Sequence, residues 1–325
     1  MLPPIEFIYL LLASNVEQLE EGDFDDLFVA ALLLLFPSPS LSLSFRFNIS
    51  EFNEEACRTL FRFSQVQLGE LIEAFEIPIH VSTNEGYKFT PMEALCVLCR
   101  RLAYPSRWSD LESLFGRPSS ALCSVFLYLN DYLLERYKDI LYFDKERLAP
   151  LLPIFSKSIK NAGAPLSNCW GFIDGTIRPC SRPIRDQKLF FNGHKRLHGL
   201  KFHSIVTPDG IISHVFGPVE GRRHDAAVLR LSGLQETLSD DRFSGYTLYG
   251  DPAYPVNKFL VSPYKSATLT PEEAEFNKRM SAVRIAVEWS FGRITNLWTF
   301  LEFKRSLKVL TINIDSSFFF FFFLD

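Results

Sequence analysis

Residues 169–176 read Cys169-Trp170-Gly171-Phe172-Ile173-Asp174-Gly175-Thr176, a short apolar run that ends in a carboxylate and breaks at glycine. Such a run predicts a buried strand that delivers one acid to the edge of a sheet. Two further carboxylates stand in comparable settings. Leu248-Tyr249-Gly250-Asp251-Pro252 is a second apolar run closed by Asp and a turn, and Val287-Glu288-Trp289 lies within a long helical pattern. Two strand-end Asp residues and one helical Glu can converge to hold a pair of divalent metal ions for phosphoryl transfer.

Working outward, Gly199–Val206 and Gly210–Phe216 read as strands joined by the turn Thr207-Pro208-Asp209-Gly210. Asp225–Leu238 reads as a helix, Tyr246–Tyr249 as the next strand and Phe259–Val261 as a further one. A long helix is predicted from Pro271 to Leu301, with Phe276, Met280, Val283 and Trp298 on one face. Upstream, Glu51 to Tyr142 is helical in pattern. Pro91 suits the first turn of a helix through Ala103, Trp108–Phe115 gives a second, and Leu122, Val125, Phe126, Leu129, Leu133 and Tyr137 keep the spacing of a third. Three helices with short turns could form a helix-turn-helix. Yet no Lys or Arg lies between Pro118 and Glu135, and a recognition helix needs such donors for phosphates and guanine edges. A packing platform is therefore the favoured reading of this region.

A hydrophobic content of 47% with 22% charge fits a soluble globular chain rather than a disordered one. Six Cys without regular spacing predict a reducing compartment. Cys96 and Cys99 form one C-x-x-C, read as core residues of an apolar helix rather than zinc ligands. The net charge of −4 hides an asymmetry. Residues 1–150 carry 12 Lys+Arg against 22 Asp+Glu, or −10, while residues 151–325 carry 22 against 16, or +6. Nucleic-acid affinity follows local basic surface, which points to the second part. There Arg178, Arg182, Arg185, Lys188, Lys195, Arg196 and Lys201 are opposed only by Asp186. Their place directly after Asp174 favours a DNA-binding surface over an ordinary solvated one. His194 and His198 have the spacing of a zinc pair on a helix, but Gly193 and the basic neighbours favour a DNA-facing loop.

Each acid has a plainer alternative. Asp174 before Gly and Asp251 before Pro could be turn formers. Glu288 could pair with Arg284 one turn earlier, in the weaker basic-first order worth at most about 0.5 kcal/mol. Asp225, in Arg222-Arg223-His224-Asp225, is equally readable as a fourth metal-site carboxylate or as the cap of the helix that follows. For Asp174, Asp251 and Glu288 the metal reading is favoured, and carboxylate ligands suit Mg²⁺ or Mn²⁺ better than zinc.

Five stretches in order, CWGFIDGTIRP at 169–179, FNGHKRLHGLKF at 191–202, GPVEGRRHDAAVL at 217–229, YGDPAYP at 249–255 and FNKRMSAVRIAVEWSFG at 276–292, resemble the PIF/Harbinger-type transposase-derived nucleases of the DDE superfamily. The resemblance covers residues 57–310. It implies a ribonuclease-H-like α/β fold, a mixed sheet flanked by helices, with an all-α, helix-turn-helix-like region before it. The expected layout is an irregular extension over 1–50, helices over 51–150, the nuclease domain over 160–310 and a Phe-rich tail over 311–325. The implied activity is metal-dependent DNA cleavage by a two-metal mechanism, with strand transfer as a further outcome. The alternative is a domesticated DNA-binding or scaffolding protein that no longer cuts; a nuclease acting on RNA is the weaker third reading. The resemblance also implies a separate Myb-like DNA-binding partner. A homo-oligomer is compatible with it, and the nucleus, with some cytoplasmic presence, is the expected compartment.

No membrane partner is expected, because the apolar run Leu27–Phe36 is too short to span a bilayer and the start lacks a signal peptide's basic residues. Residues 1–45 hold seven acids and no Lys or Arg, as in a poorly ordered extension. Six consecutive Phe at 318–323 fit no packing period, and a misread coding end would account for them.

Overall fold

The computed structural model describes residues 46–302, without the side chains of 286–291, 293–295, 301 and 302. Most of the predicted N-terminal extension and the whole Phe-rich tail lie outside the described residues. The chain first builds α1 (Glu54–Phe61) and α2 (Gln65–Ala74), each started by a side-chain cap. Asn53 accepts from the Ala56 N–H, and Ser64 with Gln67 forms a reciprocal capping box. A small hairpin, β1 (Val81–Ser82) with β2 (Lys88–Phe89), follows. Next come α3 (Pro91–Ala103), α4 (Trp108–Phe115) and α5 (Ser119–Phe143). Thr90 caps α3 with Pro91 in its first turn, and Gly116, at φ +63°, ends α4.

From Ala94 to Cys99 every side chain of α3 is buried, and α5 packs against α3, α4 and the central sheet. This is the placement of a platform. Cys96 and Cys99 lie inside it, and burial pushes both thiols well up from their ordinary range. Three of its basic groups are spent internally. Arg117 makes two hydrogen bonds to Glu93, Arg101 lies over the Trp108 and Phe300 rings, and Arg100 lies over Tyr104.

After α6 (Lys145–Leu148) and α7 (Leu152–Asn161) comes the sheet, built from β3 (Cys169–Pro179), β4 (Phe191–Asn192), β5 (Leu197–Val206), β6 (Ile212–Glu220), β7 (Thr247–Gly250) and β8 (Leu260–Val261). β3, β5 and β6 pair antiparallel in succession, and β4 adds to the start of β5. On its other edge β3 pairs parallel with β7, and β7 parallel with β8. Setting the short β4 aside, the spatial order is third, second, first, fourth, fifth. Three antiparallel strands continued by two parallel ones form the ribonuclease-H-like sheet. A short helix, α8 (Gln187–Phe190), precedes β4, and α9 (Asp225–Leu231) and α10 (Leu234–Thr237) make the crossover from β6 to β7. The long α11 (Pro271–Leu297) closes the described fold.

Both faces of the sheet are covered. Cys169, Phe172, Phe202 and Tyr249 join the core built with α3 and α5, while Trp170, Ile173, Ile205 and Leu248 join a second core with Leu229, Leu234 and Phe243. Successive residues of β3 alternate between the two faces, and a register shift between Cys169 and Gly171 puts Cys169 and Phe172, three residues apart, in the same core.

Several boundaries differ from the sequence reading. The hairpin of β1 and β2 interrupts the stretch 51–142 read as helical, and the strand read over 210–216 runs from Ile212 to Glu220. β3 does not break at Gly175 but continues to Pro179, so Asp174 is a mid-strand residue opposite Ser204. The helix predicted over 225–238 splits at Gly233, whose φ of +66° is outside the helical region. The last helix stops at Leu297, and a 3₁₀ turn, Thr299–Glu302, docks on α3 through the Thr299 hydroxyl, which donates to the Ala103 carbonyl at 2.8 Å.

His203 and His214 lie fully buried with their Nε2 atoms 3.0 Å apart. His214 Nδ1 donates to the Tyr142 carbonyl of α5, which makes its Nε2 the acceptor from His203. Burial holds both rings neutral, His214 down at about 4 and His203 well below the ordinary value. The unfolded chain therefore takes up protons first, from pH ~6.5 downward. Stability from the neutral pair is complete above that value and is lost as pH falls towards 4. For His214 the loss is on the order of 3 kcal/mol. Melting curves between pH 7 and 4 should show a steep acid limb that His214→Gln flattens; parallel acid limbs would rule the pair out as its source.

Candidate active site

The parallel pairing of β3 with β7 sets Ile173 beside Gly250, so the next residues, Asp174 and Asp251, emerge side by side. Both are partly buried. Asp251 opens a turn in which its carboxylate accepts from the Ala253 N–H at 2.9 Å and its carbonyl from the Tyr254 N–H at 3.2 Å. Asp174 accepts from Arg284 Nη2 of α11 at 2.9 Å. Burial pushes the Asp174 carboxyl up, the nearby Asp251 adds to that, and Arg284 acts against it. A carboxylate whose proton affinity is raised by burial and by a neighbouring acid is stabilised in its charged form by a cation beside it. Here the Arg284 guanidinium fills that role on Asp174.

Position 288 follows Arg284 by one turn of α11, and the Glu288 side chain lies outside the described residues. Arg284 itself is committed to Asp174. Among the described residues, no three His, Cys, Asp or Glu side chains close around one point as a metal site. The donors present are nonetheless carboxylate oxygens, the chemistry that suits Mg²⁺ or Mn²⁺.

Asp225 sits elsewhere. Successive residues of a strand face opposite ways, and a side chain added at Gly175 would meet Asp225 Oδ1 at 2.1 Å. Asp225 therefore approaches β3 on the face turned away from Asp174. Glycine at 175 is what leaves room for it. Asp225 is the first residue of α9; the N-cap is His224, and no side chain caps this helix. The capping reading of Asp225 is thus replaced by an ion pair. Lys201 Nζ stands 3.0 Å from Asp225 Oδ1 while donating its aligned hydrogen bond to the Arg223 carbonyl.

The basic residues divide by burial. Arg178 and Lys201 are buried, which removes them from direct reach of a DNA backbone. Arg182, Arg185, Lys188, Lys195 and Arg196 are exposed. Lys195 and Arg196 crown the β4–β5 turn, which Asn192 braces by accepting from the Lys195 N–H at 2.9 Å. His194 lies in this turn and His198 on β5, where it packs on Phe191, so the two share no helix. Sequence reasoning missed the roles of Arg284 and Lys201 as the acids' partners. The position of Arg284 one turn before Glu288 was a signal for the first; nothing local announced the second.

Residues 173–319 match the family model described as DDE superfamily endonuclease. A protein from Arabidopsis thaliana described as "Protein ALP1-like" is 24% identical over 240 residues, covering 69% of this chain and 57% of its own length. A "Probable transposase for insertion sequence element IS702" from Microchaete diplosiphon is 26% identical over 121 residues, 36% of this chain and 42% of its own. The chain spans about half the length of the curated relatives it matches. No solved structure matches. These similarities agree with the resemblance read from the motifs.

Proposed function

We propose, from the premise that residues 173–319 are a DDE superfamily endonuclease domain, that this chain is a divalent-metal-dependent DNA endonuclease of transposase origin. The observation that carries the reading is the juxtaposition of Asp174 on β3 and Asp251 just past the end of the parallel β7, with α11 tied to Asp174 through Arg284. Asp174, Asp251 and Glu288 would hold Mg²⁺ or Mn²⁺. Bound there, such ions supply Lewis-acid activation of a water or 3′-hydroxyl and stabilisation of the leaving oxygen.

The chain's own residues do the positioning. The β3–β7 pairing fixes the spacing of two ligands, and burial keeps them in a medium where charge is felt strongly. Asp225 and Lys201 form a neutral pair behind the strand that carries Asp174, bracing it without spending its charge. Arg284 must leave Asp174 for a divalent cation to enter, and its guanidinium is then free to meet phosphate. The exposed group Arg182, Arg185, Lys195 and Arg196 would track the DNA backbone, with DNA as partner and the nucleus as the place of action.

Purified protein is expected to nick supercoiled plasmid with Mg²⁺ or Mn²⁺ and to stop when the metal is chelated. The Arg284–Asp174 and Lys201–Asp225 pairs favour one second reading, a descendant that binds DNA without cutting it. DNA binding with no nicking at saturating Mn²⁺ would decide for that reading.

A further inference from the structure

We propose that the open cavity between the β1–β2 hairpin and α5 is a docking site for an arginine-bearing peptide segment of a partner protein. It belongs to the helical platform and takes no part in the cleavage chemistry.

The cavity holds about 660 Å³. One wall is the hairpin turn with Glu85, and the other is a stripe of α5. Ser124, Leu127, Tyr128, Asp131, Tyr132 and Glu135 keep the three-and-four spacing of one helical face, while Leu122, Val125, Phe126, Leu129 and Leu133 turn to the core. That stripe is roughly 16 Å long, room for about five residues of extended peptide. Hydrogen bonds hold the walls in place. The Ser124 hydroxyl donates to Glu85 at 2.7 Å, joining helix to hairpin, and the Tyr132 hydroxyl donates to the Glu76 carbonyl at 2.6 Å. The Tyr128 and Tyr132 rings stack, with centroids 6.4 Å apart and planes within 12°, and both side chains stay half-buried. Aromatic faces open to a cavity attract cations.

Charge selects the same occupant. Glu85, Asp131 and Glu135 line the cavity against Arg136, and Arg136 is already ion-paired with Glu76. Glu135 also holds Lys138 at 2.6 Å, an exposed pair that a peptide cation can replace at little cost. An acidic lining repels phosphate, so nucleic acid does not fit here. The lack of Lys and Arg from Pro118 to Glu135, which disqualifies α5 as a DNA reader, suits it to a basic peptide. Arginine fits better than lysine, since its planar guanidinium both stacks on tyrosine and pairs with carboxylates.

The test is fluorescence anisotropy of a labelled nonapeptide with arginine and serine alternating, titrated with the full chain at low salt, without DNA or metal. Wild type is expected to bind it saturably, and more weakly as salt rises. Asp131→Asn combined with Glu135→Gln should weaken binding roughly tenfold, and Tyr128→Leu at least about threefold. Glu272→Gln combined with Glu275→Gln, which removes two exposed charges from α11, should leave binding unchanged. Melting curves establish that each variant is folded; should Tyr128→Leu unfold, the amide pair, which keeps the shape of the acids, decides. No saturable binding by wild type overturns the proposal. Equal weakening by the α11 pair overturns it in favour of bulk charge, as does a folded Tyr128→Leu that binds like wild type. A wild-type dimer in sedimentation that the Asp131 and Glu135 changes dissolve would make the cavity a self-association face, and the proposal would fall.

Discussion

Asp174→Asn, Asp251→Asn and Glu288→Gln are each expected to reduce Mg²⁺- or Mn²⁺-supported plasmid cleavage by ~10³-fold or more. A metal ion acting as Lewis acid contributes several kcal/mol to the transition state, and each 1.36 kcal/mol is a factor of ten in rate. The amides keep the shape and one acceptor oxygen while removing the charge that holds a cation. Asp251→Asn retains the acceptor for the Ala253 N–H. Asp174→Asn leaves Arg284 with a neutral partner in a partly buried setting, at a cost of about 1–3 kcal/mol. All three variants should therefore still melt cooperatively. Cleavage retained by Asp174→Asn and Asp251→Asn would remove the strand pair from the mechanism. Retention by Glu288→Gln alone would leave the pair standing and move the third ligand elsewhere.

The second large effect concerns DNA affinity. Each phosphate contact contributes about 0.9 to the slope of log K against log salt. Neutralising Arg182, Arg185, Lys195 and Arg196 together should flatten that slope by about three to four units, since all four side chains are exposed. Changing Arg100, Arg101 and Arg117 should leave the slope nearly unaltered. The structure supplies the reason: Arg117 is held by Glu93, and Arg100 and Arg101 are packed over aromatic rings. Binding measured across a salt series compares the two sets directly. Loss of binding from the second set would make the helical platform the DNA reader.

Local chemistry explains why much of this molecule was legible in its sequence. Helices α3 and α4 run over the predicted residues because Thr90 with Pro91 starts one and Gly116 stops the other. These are signals within a few residues of the boundary. The strands were legible from apolar runs bounded by turns, and with them the fact that Asp174 and Asp251 would belong to a sheet. The blurred boundaries have the same origin. At Gly175 the sequence shows a residue that breaks many strands, but the neighbouring β5 supplies a full ladder and the strand runs on.

What only the tertiary structure decided is who meets whom. Arg284 reaches Asp174 across 110 residues of chain, and no local period encodes that crossing of helix and strand. Lys201 reads as one more cation in a basic run until β5 turns it inward to Asp225; Arg178 is buried by the same sheet. Asp225 reads equally as ligand or cap until the strand's alternation places it behind Gly175, on the face away from Asp174. Residue type determined which groups could carry charge, and sequence neighbours determined where helices and strands begin. Which charges neutralise one another depends on the packing of distant elements, because burial selects partners by proximity in space.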